Sequence, residues 1–311
     1  MVILALEGGG MRGLFEARLL ASLEQAVGEP LWRVFDVVSG TSTGGIVALG
    51  LTVAKRSAAE IGDLYEEHGP QIFRGGVWTW LRQYFVSKYD RKPLDETLRA
   101  ELGDAPLSSA ATRVVVPAFS LARRDIVWFD SSNLPVPGDR VKVAPGDPLA
   151  RDVAAATSAA PTYFDPARIA GLEGEWLDGG VGADDPTPFA MALALHDRRG
   201  EDVIVLSIGT GGFFPAYPKR FRGLIPVGLE SMPDLLLYPT GLVAHDTADA
   251  LAAAIERVTL FRIVPEPKRL RDIDDASPEA LRRLNEEAAR VAALPATQQA
   301  FAAIRAAHSG K

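Results

Sequence analysis

Residues 2–13 read VILALEGGGMRG, a stretch that joins a short apolar segment to a glycine turn. Val2–Leu6 is a continuous apolar run, which is typical of a strand buried inside a parallel sheet. From Arg12 to Val27, apolar side chains recur at helical spacing. A strand, a glycine turn and a helix in direct succession predict the first unit of an α/β fold.

The same alternation of strand and helix continues along the chain. Short β-branched or apolar runs predict strands, and longer periodic segments, two of them with Pro near the start, predict helices. The sequence therefore predicts an α/β fold with a mostly parallel central sheet and helices on both faces. The predicted strands are Val34–Ser39, Arg113–Leu121, Ile126–Phe129, Trp176–Leu177, Asp202–Ile208 and Val258–Val264, and the predicted helices include Ile46–Lys55, Pro278–Ala293 and Pro295–Ala307.

The composition of the 311 residues excludes several classes of protein. Lys and Arg number 33 against 40 Asp and Glu, so the chain lacks the basic surface of a nucleic-acid-binding protein. It contains no cysteine, which excludes disulfides, thiol nucleophiles and cysteine metal sites. No basic leader and no apolar run of about 20 residues is visible, so we expect a cytoplasmic protein, with export by a signal-less route left open.

The first glycine turn, Gly8–Gly13, predicts a cradle for an anion. Consecutive glycines let backbone N–H groups approach a ligand, and the following helix adds unpaired N–H groups. Such a cradle suits a pyrophosphate or an oxyanion formed in a transition state. The spacing also fits a dinucleotide-binding turn, which requires an acid at the end of the second strand. Here Asp36 lies within that strand, which weakens the dinucleotide interpretation.

The second glycine turn, Gly40–Gly45, matches G-x-S-x-G between a predicted strand and a predicted helix. This sharp turn exposes the hydroxyl of its serine, here Ser42, as a nucleophile. A hydroxyl nucleophile needs a base. His245, ahead of an alanine-rich helix, is the one histidine in a plausible context, and Asp178, at a strand end before two glycines, is the alternative base.

Taken in order, EGGGMRG at 7–13, GTSTG at 40–44 and DGG at 178–180 resemble the patatin-like phospholipase family. The resemblance extends over about residues 2–290 and includes the segments 155–164, 206–211 and 273–278. It implies a three-layer α/β/α fold, with a catalytic domain over 1–290 and a helical tail over 291–311. Two departures are Glu7, where Asp is more usual, and Asp184-Asp185-Pro186, where many members have Asn-Pro.

The resemblance also implies a mechanism and a site. Ser42 would be the nucleophile and Asp178 the general base of a serine lipid acyl hydrolase that works through an acyl-enzyme, with no metal and no cofactor. The substrate would be a phospholipid or another acyl ester. The implied oxyanion hole is Gly8, Gly9, Gly10, Met11, Arg12 and Gly13; the nucleophile turn also includes Gly40, Thr41, Thr43 and Gly44; and the base turn includes Gly179 and Gly180. Arg12 would either brace the glycine turn or attract a lipid phosphate.

Two aromatic segments bear on the substrate. Residues 73–89 interleave aromatic and basic side chains, a composition that suits a transient contact with a membrane surface or, equally, a core between helices. Residues 213–222 would line an acyl channel or form a lid. Two other functions stay open: an acyltransferase on a related scaffold, and a nucleotide-binding module that uses Gly8–Gly13. The aromatic residues are Phe73, Trp78, Trp80, Tyr84, Phe85 and Tyr89 in the first segment, and Phe213, Phe214, Tyr217 and Phe221 in the second.

Overall fold

A single eight-stranded sheet organises the chain. In the computed structural model the described residues are 1–74, 87–132, 134–211, 232–266, 270 and 272–310, with the backbone alone described over 232–239. The strands are β1 Val2–Leu6, β2 Val37–Gly40, β3 Arg113–Ser120, β4 Asp125–Asp130, β5 Lys142–Val143, β6 Trp176–Asp178, β7 Val203–Ile208 and β8 Val258–Ile263.

The sheet is mostly parallel, as the sequence predicts. Strands β3, β2, β1, β7 and β8 lie side by side in that order and all run parallel. The antiparallel strand β4 covers one edge of β3 and carries β5 beyond it. Strand β6 also pairs antiparallel with β3, over Ala118–Ser120.

The helices cover the two faces of this sheet. Along β1, Val2, Leu4 and Leu6 join one apolar core together with residues of the first helix, whereas Ile3 joins a second core on the other face. Alternate side chains of a strand point to opposite faces, so a fully apolar strand requires cover on both sides. The helices are α1 Gly13–Val27, α2 Leu31–Val34, α3 Thr43–Thr52, α4 Ala58–Ile72, α5 Lys92–Leu102, α6 Ala150–Thr157, α7 Gly180–Ala183, α8 Thr187–Asp197, α9 Met232–Ala254, α10 Pro278–Ala292 and α11 Pro295–Ser309.

Some element boundaries differ from those predicted. The strand predicted from Val34 begins at Val37, because residues 31–34 form the short helix α2 ahead of it. The predicted domain boundary at residue 290 falls inside α10, and Phe301 and Ile304 of α11 are buried in the same core as α1. Of the helices that the structure describes, none combines the length and the apolar character that crossing a bilayer requires.

Three neighbouring strands end side by side and thereby define one edge of the sheet. In register, Leu6 lies opposite Gly40 of β2 and opposite Ile208 of β7. From β1 the chain proceeds to β2 on one side and returns later to β7 on the other, so the strand order reverses at β1. Ligands of open α/β sheets bind at the carboxyl ends of the strands where this reversal occurs.

A buried ion-pair network secures the opposite end of the sheet. Arg113, at the start of β3, pairs with Asp130 at 3.1 Å and with Asp197 at the end of α8. The three side chains are 7%, 1% and 12% exposed. Charges removed from water in this way are stable only while each keeps its partner.

We therefore expect Arg113→Met to lower the free energy of unfolding by about 3–5 kcal/mol, since two buried carboxylates lose their cation. The matched control is Arg168→Met, because Arg168 and Glu175 form a pair whose side chains are 80% and 42% exposed. Arg168→Met should lower the free energy of unfolding by less than about 1 kcal/mol. Urea denaturation measures both, and equal losses in the two variants would contradict the importance of the buried network.

Candidate active site

The first glycine turn leaves two backbone N–H groups unpaired among the described residues. Around them, the N–H of Gly8 donates to Asp184 O at 3.3 Å and that of Met11 to Ile273 O at 2.7 Å. The N–H groups of Arg12 and Gly13 donate within the turn itself. Of the six residues of this turn, only Gly9 and Gly10 have an N–H group without a partner among the described residues, whereas the N–H of Met11 is already paired.

Contacts from other parts of the chain hold this turn in shape. Gly10 has a φ of 56°, and a Cβ there would meet the carbonyl of Ile273, so only glycine fits. The hydroxyl of Thr210, just after β7, donates to Gly8 O. Arg12 is buried, and its guanidinium donates to Gly211 O at 2.9 Å. Of the two predicted alternatives for Arg12, the structure supports the brace.

The second glycine turn forms a strained bend with Ser42 at its apex. Ser42 has φ 53° and ψ −122°, a conformation that side-chain-bearing residues rarely adopt. The N–H of Thr41 donates to Leu6 O at 3.1 Å, which fixes the bend against β1. A Cβ on Gly40 would meet the carbonyl of Gly44, so the turn cannot be this tight with larger residues. This is the geometry that exposes a nucleophilic hydroxyl at a strand end.

Asp178 reaches the same place from a different strand. Strand β2 pairs with the first half of β3, and β6 pairs with its second half. Because β4 occupies the other edge of β3, β2 and β6 lie along the same edge. Strand β6 therefore lies beyond the carboxyl end of β2. Asp178, the last residue of β6, therefore lies next to the bend that carries Ser42.

Thr157, at the end of α6, joins the two turns. Its hydroxyl oxygen accepts from the N–H of Ser42 at 3.0 Å, and its carbonyl accepts from the N–H of Gly179 at 3.2 Å. The side chain is fully buried. Thr157 belongs to a segment that the resemblance includes, but nothing in the local sequence indicates these two contacts.

The carboxyl of Asp178 has the environment of a general base. It is 1% exposed, and its Oδ1 accepts from the N–H of Gly180 at 2.8 Å. Its Oδ2 has no hydrogen-bond partner among the described residues, although the Ser42 hydroxyl is close enough to affect the same carboxyl. Burial raises the pKa of Asp178 to about 7, against the opposing hydrogen bonds of Gly180 and Ser42. A pKa in this range lets Asp178 exchange a proton near neutral pH.

His245 lines the same cavity as Ser42 and is paired with a carboxylate there. It lies within α9 rather than ahead of a helix, and its Nε2 contacts a carboxylate oxygen of Glu7 and lies 3.6 Å from Asp185. Burial alone would lower its pKa, but the hydrogen bond and charge of Glu7 raise it above its ordinary value. A carboxylate partner is also what the histidine of a triad has, so the missing contact is the one to Ser42: among the described residues no hydrogen bond joins His245 to Ser42.

Glu7, Asp185 and His245 also have the composition of a metal site, with three donor atoms within 4.8 Å of one another, and the described residues contain no other such group. Arg262 of β8 lies 3.0 Å from Asp185 and 3.7 Å from Glu7. Its guanidinium supplies the positive charge that these carboxylates need. We therefore interpret the group as a buried ion-pair network.

A cavity of about 560 Å³ opens between the two glycine turns and extends away from them. Ser42, Asp178, Gly9 and Gly10 line one part of it. Apolar side chains of α3, α4 and α5 line much of the rest, together with polar and charged side chains that include Arg56, Lys88 and Glu101. Phe73 also lines the cavity and meets Tyr89 edge to face at 5.4 Å, which supports the core interpretation for these two aromatic residues. The other aromatic residues singled out above, Trp78, Trp80, Tyr84, Phe85, Phe213, Phe214, Tyr217 and Phe221, lie outside the described residues.

This fold and site define a class of α/β protein in which a strained serine turn, a glycine turn and a buried aspartate meet at one sheet edge. The family described as patatin-like phospholipase matches residues 4–193. The chain belongs to this family.

Curated relatives and a solved structure extend the comparison. The chain is 34% identical over 260 residues to Patatin-like protein 2 of Oryza sativa subsp. japonica, covering 74% of this chain and 60% of that protein. It is 33% identical over 235 residues to a cGAMP-activated phospholipase of Vibrio cholerae, covering 68% of this chain and 64% of that protein. The match thus spans less than two thirds of these relatives. A crystal structure of VipD from Legionella pneumophila covers 99% of this chain and 67% of its own, with a TM-score of 0.45 and 12% identity.

The contact between the two turns generates a stability prediction. Gly44 packs so closely that a Cβ on it would lie 2.6 Å from the carbonyl oxygens of both Leu6 and Glu7. Replacing a glycine inside a helix by alanine normally raises the free energy of unfolding by about 0.5–1 kcal/mol. Here the clash of the Cβ with the backbone should lower it instead. We expect Gly44→Ala to lower the free energy of unfolding by about 1–3 kcal/mol.

The control for that prediction is Gly310→Ala at the end of α11. A Cβ there would meet its first neighbour at 3.6 Å, an ordinary contact. Its effect should stay within about 0.5 kcal/mol. Urea denaturation of both variants is the measurement, and a stabilised Gly44→Ala protein would show that the turn and β1 are not in close contact.

Proposed function

We propose that this protein is a serine lipid acyl hydrolase that cleaves fatty acyl esters with Ser42 and Asp178. The observation that carries the proposal is one cavity lined by Ser42, Asp178, Gly9 and Gly10 and by apolar side chains of α3, α4 and α5, with the N–H groups of Gly9 and Gly10 unpaired among the described residues. The apolar side chains suit an acyl chain, and the polar groups suit its ester group.

The proposed reaction has two half-reactions. Ser42 Oγ attacks the ester carbonyl while its proton passes to Asp178, and the carbonyl oxygen becomes an oxyanion that accepts from Gly9 and Gly10 N–H. Asp178 then returns the proton to the departing alcohol, which leaves an acyl-enzyme. A water molecule attacks this ester, Asp178 takes its proton, and the fatty acid is released as Ser42 regains a proton.

The electrostatics of the site disfavour the nucleotide-binding alternative. Glu7 precedes the glycine turn directly, and the carboxyl of Asp184 lies beside Gly8. Arg12, the cation within the turn, donates to backbone carbonyls of 210 and 211. A pyrophosphate would therefore meet carboxyl groups, whereas an oxyanion that exists only in the transition state needs two N–H donors and no permanent cation.

Two variants test the dyad. Ser42→Ala should lower hydrolysis of a short p-nitrophenyl ester by about 10³-fold or more, because the nucleophile is lost. Asp178→Asn keeps the shape of the side chain but cannot accept the proton. It should lower the rate of hydrolysis by about 10²–10⁴-fold. The control is Ser22→Ala, on α1, whose hydroxyl donates to Arg18 O. Full activity in Asp178→Asn together with loss in His245→Ala would replace the dyad with a histidine-based mechanism.

The acid limb of the pH profile gives an independent test of Asp178. The base must be ionised, so kcat/KM should rise about tenfold per pH unit on the acid side and level off above the pKa of Asp178, about 7. The midpoint should not move when the ester is changed, because kcat/KM reports the free enzyme. A midpoint near pH 4 would indicate that the base is a solvated carboxylate.

A further inference from the structure

A second carboxyl group, Asp184, lies close to Ser42 in the cavity and has no part in the dyad. It follows α7 directly, is half-buried and lines the cavity. A Cβ placed on Gly8 would lie 2.5 Å from Asp184 Oδ1 and 3.3 Å from the Cβ of Ser42. The space of one methyl group therefore separates the acid from the nucleophile.

Glycines flank this carboxyl on both sides. Gly8 lies beside Oδ1 of Asp184, and Gly241 of α9 lies beside Oδ2. A Cβ on Gly241 would lie 3.0 Å from Oδ2. The carbonyl of Asp184 also accepts from the N–H of Gly8, which ties its backbone to the glycine turn. The carboxyl is thus held between the oxyanion turn and α9.

The groups around Asp184 favour its neutral form. Facing it are Glu7 at the end of β1, Asp178 of β6, Glu16 of α1 and its own neighbour Asp185. The nearby cations are engaged elsewhere: Arg262 with Asp185 and Glu7, and His245 with Glu7. Among the described residues, Asp184 forms no ion pair.

Burial raises the pKa of Asp184 well above its usual range, the charges of Glu7, Asp178 and Asp185 raise it further, and the N–H of Gly8 opposes them. The same arrangement holds a carboxylic acid neutral in other enzymes so that it can donate a hydrogen bond. A protonated carboxyl carries one O–H donor, which a carboxylate lacks.

We propose that Asp184 is a third donor of the oxyanion hole: its O–H donates to the carbonyl oxygen of the bound ester, beside the N–H groups of Gly9 and Gly10. This inference rests on the proposed hydrolase function and adds a residue to it. No proton leaves Asp184 during the reaction. When the carboxyl ionises, the donor is lost and a negative charge faces the developing oxyanion, so both effects lower the rate at high pH.

The experiment is the pH dependence of kcat/KM for a short p-nitrophenyl ester, from pH 5 to about 10, with the Ser42→Ala rate subtracted at each pH. The wild-type profile should fall at least about tenfold on its alkaline side. Asp184→Asn, isosteric and never ionised, should stay within about tenfold of the wild-type maximum and lose the alkaline fall. The Asp184→Ala variant has no hydrogen-bond donor at this position, and its kcat/KM at the pH optimum should be about 10²–10³-fold below that of wild type.

The matched control is Asp202→Asn, an exposed residue just before the amino end of β7, whose profile should coincide with wild type. An alkaline fall that persists in Asp184→Asn overturns the inference, as does an Asp184→Ala protein as active as Asp184→Asn. Far-UV circular dichroism at each pH distinguishes unfolding from loss of the donor. Absence of Ser42-dependent hydrolysis in wild type would overturn the proposed function and this inference together, whereas the other outcomes leave the proposed function intact.

Discussion

The packing of Gly44 against the end of β1 is the constraint on which the site depends. Leu6 pairs with both Gly40 and Ile208, so three loops emerge side by side from one sheet edge. The serine bend fits there only because Gly44 has no side chain where the carbonyls of Leu6 and Glu7 pass. A larger residue would separate α3 from β1 and with it Ser42 from the neighbouring glycine turn. The strain at Ser42 is maintained by contacts on every side of the bend, which is how strained functional conformations persist.

Electrostatics at this edge combine many carboxyls with few cations. Burial brings Asp178 into the pH range where an aspartate is both ionised and basic enough to accept a proton. The network of Glu7, Asp185, His245 and Arg262 balances part of the negative charge and connects β1, α9 and β8. The cations of this network are already paired, and Arg12, which also lines the cavity, donates to the carbonyls of Thr210 and Gly211. Such a site is better suited to an ester, which becomes charged only as it reacts, than to a permanent anion.

The sequence predicts the sheet and the three motifs because each is local: an apolar run, a glycine turn and a helix are all contained in about 20 residues. The convergence of Ser42 and Asp178 was available only through the family resemblance, since it depends on β6 continuing the line of β2 along β3. Contacts between residues far apart in the chain leave no pattern in the local sequence. Thr157 reads as an ordinary helix end, Glu7 and His245 are separated by 238 positions, and Asp184 reads as a turn residue before a proline. The N–H of Met11 likewise donates to Ile273, which lies 262 positions away in the chain. The local sequence therefore could not show which N–H groups of the glycine turn are already paired.

The two carboxyls of this site, the proposed base Asp178 and its neighbour Asp184, respond to their surroundings in opposite ways. Asp178 is buried and Asp184 is half-buried, yet Asp178 retains two hydrogen-bonding neighbours, Gly180 and Ser42, that favour its ionised form. Asp184 has the N–H of Gly8 alone, and three carboxyl groups oppose its ionisation. Two acids in one cavity are thereby driven toward different protonation states, the condition under which one can accept a proton while the other donates a hydrogen bond. The difference arises from the fold, because α7 carries Asp184 back toward Gly8 within six residues of the base.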